Sequence, residues 1–544
     1  MTDEARTTPV LIVGGGPVGL ALAGELGWRG IDCMLVEQTD GVIDTPKMNE
    51  VNLRSMEFCR RWGIADQVRD CPFPWDYSMD VAFMTRLGVE LGRQKRPTKR
   101  DQKPEPYSPE TFQICSQLWF DPVLSRHAEN LKSVSLNYRH RLEGFIQDGD
   151  GVTAEIANLT TGGRETVTSD YLVACDGTNS AIREACGIDV GGDKILGRPV
   201  HLYFISPDFA EIVGFDRAVF ILLIDEHGAW ANVRAIDLKQ GLWRLMIIDT
   251  PEDFDRENID RDAQLRRATG MDIDVEWAGI SVWTRRGVVA SHYRDRWVYL
   301  AGDAAHQVSP TGALGMNTGL GDAVDLGWKL AANIEGWGGG ALLDSYEFER
   351  RAVCARNVAM TMGFHQDHSQ FQAPPSIDDG TPEVEAARAE LGEKAVDIIG
   401  AMFRTDGLQL GYVYEGSPVC IPGGTAMPDD TSDRYVQTAQ PGARAPHAWL
   451  HEGKSTLDLF GRGFVLLRLG EDAPDGSALA DAAAARGVPF RIERIQGKNI
   501  AALYEAVLVL IRPDGHVAWR GDALPEDCGR IMDRITGRTA MEEA

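Results

Sequence analysis

The chain has 544 residues, enough for roughly three domains, with 43% hydrophobic and 25% charged residues, as in an ordinary globular protein. Its 81 acids against 55 bases give a formal charge of −26, which excludes nucleic acid and anionic membrane as partners held by bulk charge. The nine cysteines include no C-x-x-C pair, the start MTDEARTTPV carries no secretory pattern and no apolar run is long enough to span a bilayer, so a cytoplasmic protein with reduced thiols is expected.

The first elements fall in residues 9–40, PVLIVGGGPVGLALAGELGWRGIDCMLVEQTD. Val10–Val13 has the apolar run of a buried parallel strand. Gly14-Gly15-Gly16-Pro17-Val18-Gly19 fits G-x-G-x-x-G, and a helical run from Leu20 to Trp28 follows. Gly30 closes that run, and Cys33–Val36 makes the next strand, ending in Glu37. In such a loop Gly14 permits the tight turn, Gly16 admits a pyrophosphate, and Gly19 lets helix and strand pack. The helix N-terminus offers unpaired N–H groups and a positive dipole end to phosphates. Glu37 stands where a carboxylate accepts adenosine ribose hydroxyls. It disfavours NADP at this site and does not separate FAD from NAD.

Next comes YLVACDGTNSAIR at 171–183, a strand running into Asp176-Gly177, with Ser180 and Arg183 where a short helix begins. Ala218–Ile224, Ala229–Ile236 and Trp243–Ile248 read as consecutive antiparallel strands. Alternation puts Trp230, Asn232 and Arg234 on one face, and His201 and Tyr203 on one face of an earlier strand. That sheet is expected to roof a pocket. Trp297–Ala301 is a further buried strand, ended by Gly302-Asp303. A glycine-rich loop from Pro310 to Asn317 leads into a helix over Asp322–Asn333. One acid at a strand end, then a loop aimed at a helix N-terminus, suits a hydroxylated, partly anionic ligand. Residues 373–392, rich in Pro and acids, read as an exposed excursion, and AVLVLIRPDGHVAWR at 506–520 as a hairpin turning at Pro513-Asp514-Gly515.

The three glycine- and acid-bearing elements, in this order, resemble the FAD-dependent aromatic hydroxylases, the para-hydroxybenzoate-hydroxylase-like flavoprotein monooxygenases. The likeness covers about residues 8–360. PKMNEVNLRSME at 46–57 and PGARAPHAWLHEGKSTLDLFGRGFVLLRL from residue 441 are similar to the phenol and chlorophenol hydroxylase branch with its thioredoxin-like tail. The resemblance implies an α/β fold with an α+β middle domain. A Rossmann-like FAD-binding domain (1–190 and 285–365) would be interleaved with a substrate-binding sheet domain (191–284). A helical or loop connection (366–430) and a thioredoxin-like domain (431–544) would follow. Without C-x-x-C that last domain is expected to be redox-inert and to serve packing and dimer contacts.

Carried over position by position, Gly14, Gly16, Pro17, Gly19 and Glu37 would hold the ADP half of FAD. Arg54 would lie near the flavin phosphates, Gln117 against the cofactor, and Asp176 and Gly177 in a motif tied to FAD and nicotinamide binding. Asp303 would bond the ribityl chain, with Pro310, Gly312, Gly315, Met316 and Asn317 along the ring. Asn49, Tyr203 and Arg234 are the candidate catalytic groups. Asn49 replaces an Asp or His that helps deprotonate the phenol in that branch, and an amide cannot act as a base. His306 is expected to be a structural polar contact near the cofactor. The implied reaction hydroxylates a small phenolic substrate through a flavin C4a-hydroperoxide, with NADPH or NADH and O₂. Epoxidation or Baeyer–Villiger oxidation of a natural-product scaffold is the alternative. The halogenase motif W-x-W-x-I-P is absent, and a non-catalytic nucleotide-binding protein would not need all three flavin elements.

Overall fold

The computed structural model describes residues 6–539 apart from 192–194, 257, 370, 375–376, 378–380 and 424–425. Its first layer is an eight-stranded sheet with five parallel strands at its centre and antiparallel strands added at its margins. Strand Arg6–Val13 lies between Cys33–Glu37 and Arg164–Ala174, with Val134–Tyr138 and Val298–Leu300 outside them. Val10, Leu11, Ile12, Leu172, Val173 and Val298 have no exposure, because helices cover the sheet and its strands can be apolar throughout. Helices Pro17–Arg29 and Gly315–Ile334 pack on each other against this sheet. A Cβ at Gly319 would lie 2.5 Å from Val18 Cγ2, so the glycine sets how closely those helices approach.

The second layer is a seven-stranded sheet, ordered Glu276–Val282, Val200–Ile205, Leu242–Ile247, Gly228–Asp237, Phe220–Asp225, Val81–Arg86, Val89–Gln94. Residues 81–94 thus join the sheet that the sequence reading confined to 191–284. Tyr203 and Arg234 both stand opposite Arg244, and His201 and Asn232 both opposite Met246. The face expected from alternation is therefore real, and it carries Arg244 as well.

The expected exposed excursion at 373–392 is, in its second half, a largely exposed helix. Residues 382–398 form the helix Pro382–Ile398, with Pro at its start and the Thr381 side chain accepting from Val384 N. Glu383 and Glu385 in its first turn favour the positive dipole end, so proline and acids marked a helix start rather than a loop. It packs on strand Val89–Gln94 through two glycines, since a Cβ at Gly392 would lie 1.8 Å from the Leu91 carbonyl oxygen. Residues 375–376 and 378–380 of that stretch lie outside the described residues.

The C-terminal sheet runs Phe490–Ile495, Phe464–Leu469, Leu508–Ile511, Val517–Gly521, one parallel pair followed by an antiparallel hairpin. That order is thioredoxin-like, and Gly515, at φ 89°, makes the expected hairpin turn. All nine cysteines are unpaired. Among the described residues, no helix is long and apolar enough to cross a membrane.

Candidate active site

Four strands end at one level, because Val13 pairs with Val36 and Ala174, and Ala174 with Leu300. The residues that follow them, Gly14–Gly19, Glu37, Asp176-Gly177 and Gly302-Asp303, gather along the carboxyl edge of the sheet. Open α/β sheets bind their ligands there. Gly14 has φ 114°, and a Cβ on it would lie 2.2 Å from the Cys175 carbonyl oxygen. A Cβ on Gly19 would lie 2.0 Å from the Gly14 carbonyl oxygen, whereas one on Gly16 would meet nothing within 4 Å. Packing demands the outer two glycines, and the middle one leaves open backbone for a phosphate. Pro17 starts the helix, and Gly16 offers no side chain to satisfy its first N–H groups. Glu37 accepts from Gly15 N and Thr39 N, each at 2.7 Å. Each of its oxygens keeps a second lone-pair direction for a ribose hydroxyl.

The two acid motifs are tied together. Arg183 donates to the Ala304 carbonyl at 3.0 Å and the Thr178 carbonyl at 3.3 Å. Asp176 accepts from Ile182 N at 3.3 Å through one oxygen and buries the other without a partner. Asp303 opens onto the cleft, and no described residue donates a hydrogen bond to it. The protein around it still desolvates the carboxyl and raises its pKa, a shift that His306 and Lys47 partly offset. His306 is buried and bonded to Asp322 at 2.6 Å, and Asp322 also accepts from Gly302 N at 3.1 Å and Arg350 Nε at 2.8 Å. His306 thus helps anchor the turn that presents Asp303.

Gly312 and Ala313 are left-handed, at φ 87° and 54°. They turn the loop into the helix Gly315–Ile334, which begins at Leu314 with no side-chain cap. The first-turn N–H groups of Gly315, Met316 and Asn317 have no acceptor within the helix. The Asn317 side chain is spent inside the protein, accepting from Asn52 N (3.1 Å) and Ser55 Oγ (2.6 Å) and donating to the Glu50 (3.1 Å) and Ala313 (2.7 Å) carbonyls. It clamps segment 50–55 to the loop.

Gln117 also acts locally, accepting from Lys47 N at 3.0 Å and donating to Asp121 at 3.0 Å. Arg54 turns to Glu57 at 2.9 Å and to the Asp514 carbonyl at 3.1 Å, so its hydrogen bonds run to the C-terminal domain and not to the glycine loop. Asn49 is 6% exposed, and neither atom of its amide has a partner.

Between the 310–313 loop and the seven-stranded sheet lies a cavity of about 450 Å³. His201, Asn232, Arg234, Arg244 and Met246 roof it, and Lys47, Glu50 and Arg96 reach it from the FAD-binding side. Sequence reasoning missed Arg244, Arg96 and the closing residues Phe403–Asp406. Arg234 pairs with Glu50 at 2.8 Å and lies over the Phe220 ring. Arg244 is 6% exposed, its Nε has no partner, and no described acid pairs with it. Burial, together with Arg234, lowers its pKa to about 10, against the pull of Tyr203. Tyr203 lies beneath, donating to the Pro46 carbonyl at 3.0 Å and meeting His201 Nδ1 at 3.2 Å. Burial and Arg244 push His201 well below its usual pKa, so it is neutral.

An open glycine backbone and an unpartnered acid at one sheet edge, with an uncapped helix start after them, fit FAD and define an FAD-binding α/β flavoprotein. The chain belongs to the FAD-dependent aromatic-ring hydroxylases. Residues 7–361 match the family model described as FAD binding domain, and residues 438–539 match the one described as aromatic-ring hydroxylase, C-terminal. Tetracenomycin B2 monooxygenase-dioxygenase of Streptomyces olivaceus is 31% identical over 97% of this chain and 98% of its own length. 4-Methyl-5-nitrocatechol 5-monooxygenase of a Burkholderia species is 31% identical over 95% of each. The solved structure of RebC soaked with chromopyrrolic acid, with 7-carboxy-K252c bound, superposes with a TM-score of 0.92 at 39% identity, covering 98% of this chain and all of RebC. The protein is an FAD-dependent monooxygenase, and enzymes of this kind consume O₂ and a reduced nicotinamide.

The free carboxylate of Asp303 carries a first prediction. Asp303→Ala is expected to weaken FAD binding 10- to 100-fold, about the worth of hydrogen bonds to a charged group. Titration of apoprotein by flavin fluorescence reads this directly, and an unchanged Kd would remove Asp303 from the cofactor site.

Proposed function

We propose that the protein hydroxylates a phenolic ring on an acidic, natural-product-type aromatic scaffold, using FAD, O₂ and NADPH or NADH. The observation that carries this reading is Arg244, a buried cation without an acidic partner in the roof of the active-site cavity. A stranded buried charge is costly unless a ligand completes it, and a substrate carboxylate suits a guanidinium fork. The relatives are consistent with this: the compounds named with RebC are an acid and a carboxy compound, and another relative is named for tetracenomycin B2.

FAD would supply the redox chemistry here, hydride acceptance and O₂ activation. This chain's residues position and polarise. Arg244 and Arg234 orient the acidic end of the substrate under the sheet. The N–H groups of 315–317 and the positive end of their helix would stabilise negative charge on a flavin ring held there. Asn49 cannot take a proton, and neutral His201 is a poor base. Of the carboxylates at the cavity, Glu50 is held by Arg234 and Asp406 by Tyr107, which leaves the field of the cavity's cations to activate the ring hydroxyl.

The test is a panel of aromatic acids and their methyl esters, incubated with either nicotinamide under ¹⁸O₂. Acids are expected to gain one labelled oxygen while their esters turn over poorly. No labelled product, or equal turnover of acid and ester, overturns the proposal. Product NMR separates ring hydroxylation from epoxidation or Baeyer–Villiger insertion.

A further inference from the structure

We infer a second ligand site, apart from the active-site cavity, that takes a small organic oxyanion, a phosphate or carboxylate on an aromatic body. It is a cavity of about 270 Å³ where helices Pro17–Arg29 and Leu53–Trp62 meet the C-terminal domain. Trp28, Phe58 and Phe460 form its apolar wall, and Arg54, Arg61 and Lys454 its basic wall. None of the glycine loop, Asp303 or the sheet face lines it.

The acids at this cavity are already committed. Glu57 binds Arg54 at 2.9 Å and Arg444 at 3.0 Å. Asp458 binds Arg60 at 2.6 Å and accepts from Ser455 N at 2.8 Å. Two of the arginines still keep an unmet N–H. Arg54 is 6% exposed, and its Nε has no partner; the Nη1 of Arg61 is enclosed and also has none. Burial lowers the Arg61 pKa to about 10. The carboxylates that oppose this shift, Glu25 and Asp514, are held by Arg29 at 2.6 Å and Arg512 at 2.7 Å. Lys454 reaches only a carbonyl, that of Asp458 at 3.5 Å.

Buried guanidinium N–H groups without acceptors, one on Arg54 and one on Arg61, beside carboxylates already bound elsewhere, mark a place where an anion completes the structure. The aromatic wall specifies the rest of the ligand. A flat ring gains burial and stacking against Trp28 and Phe460, and its oxyanion then meets Arg61 and Lys454.

Calorimetric titration of the FAD-loaded protein with phenyl phosphate and with benzoate tests the site, with phenol and inorganic phosphate as controls. At least one of the two oxyanions is expected to saturate one site that survives Arg244→Met, and the one that does so names the headgroup. Phenol and inorganic phosphate are each expected to bind at least tenfold more weakly. Arg61→Gln is expected to weaken that binding at least tenfold. Binding unaffected by Arg61→Gln, binding abolished by Arg244→Met, or no saturable binding overturns the assignment. If Arg61→Gln does not fold, the half-buried Lys454→Gln replaces it: a several-fold loss supports the site, and unchanged affinity overturns it.

Discussion

Arg512→Met is expected to cost about 3–5 kcal/mol of stability, the usual effect of removing one partner from a buried ion pair, and to release FAD at a lower temperature. Arg512 comes from the C-terminal hairpin and has no exposure. It binds Glu349 at 2.5 and 2.8 Å, Asp514 at 2.7 Å and Asp325 at 3.2 Å. Lys329 completes the cluster, at 2.7 Å from Asp325 and 2.6 Å from Glu349. Three acids thus share two cations in a dry interior, and burial raises the Asp325 pKa to about 7 even with both cations present. Without Arg512, three carboxylates are left with one lysine. Asp325 and Lys329 sit on the helix whose first turn is Gly315–Asn317, so damage here reaches the flavin end. Adding Glu349→Gln removes one stranded charge and is expected to recover part of the loss, the non-additivity of groups in one network. Chemical unfolding and flavin-release temperature measure both variants; an Arg512→Met protein as stable as the parent would show that the network does not hold the domains together.

That cluster also shows where the sequence was legible and where it was not. The carboxyl-edge elements could be read because each is a local pattern: a strand of apolar residues, a turn that only glycine tolerates, an acid at the strand end. Gly14 and Gly19 have their spacing because carbonyl oxygens lie about 2 Å from where a Cβ would be. The clamp made by the Asn317 side chain was not legible, since its four partners include residues more than 250 positions away. The resemblance put Arg54 near the flavin phosphates, whereas a partner it bonds, Asp514, is 460 positions on and invisible to any local motif. Arg244 was within reach. Alternation on Trp243–Ile248 puts Arg244, Met246 and Ile248 on one face, but only the register against Tyr203 and Arg234 shows that this face is the roof. The helix at 382–398 was hidden because a proline and acids mark both loops and helix starts, and the packing of Gly392 on Leu91 decides between them.

Arg244→Met is expected to separate a substrate-binding arginine from a structural one. A charge-assisted pair to a carboxylate is worth roughly 2–3 kcal/mol, so the acidic substrate should bind about 100-fold more weakly while its methyl ester changes little. Stability should move the other way. Removing a buried cation that has no acidic partner relieves an unmet desolvation cost, and Tyr203 keeps its bond to the Pro46 carbonyl at 3.0 Å. The unfolding midpoint is therefore expected to hold or rise. Arg234 is the contrasting case, because its removal strands Glu50, now 2.8 Å away, and Arg234→Met should weaken substrate binding and stability together. Substrate titration followed by the flavin spectrum, paired with thermal unfolding of both variants, reads all four quantities. If Arg244→Met loses several kcal/mol of stability, or weakens acid and ester equally, the arginine serves the sheet and not the substrate, and the acidic-substrate reading fails with it.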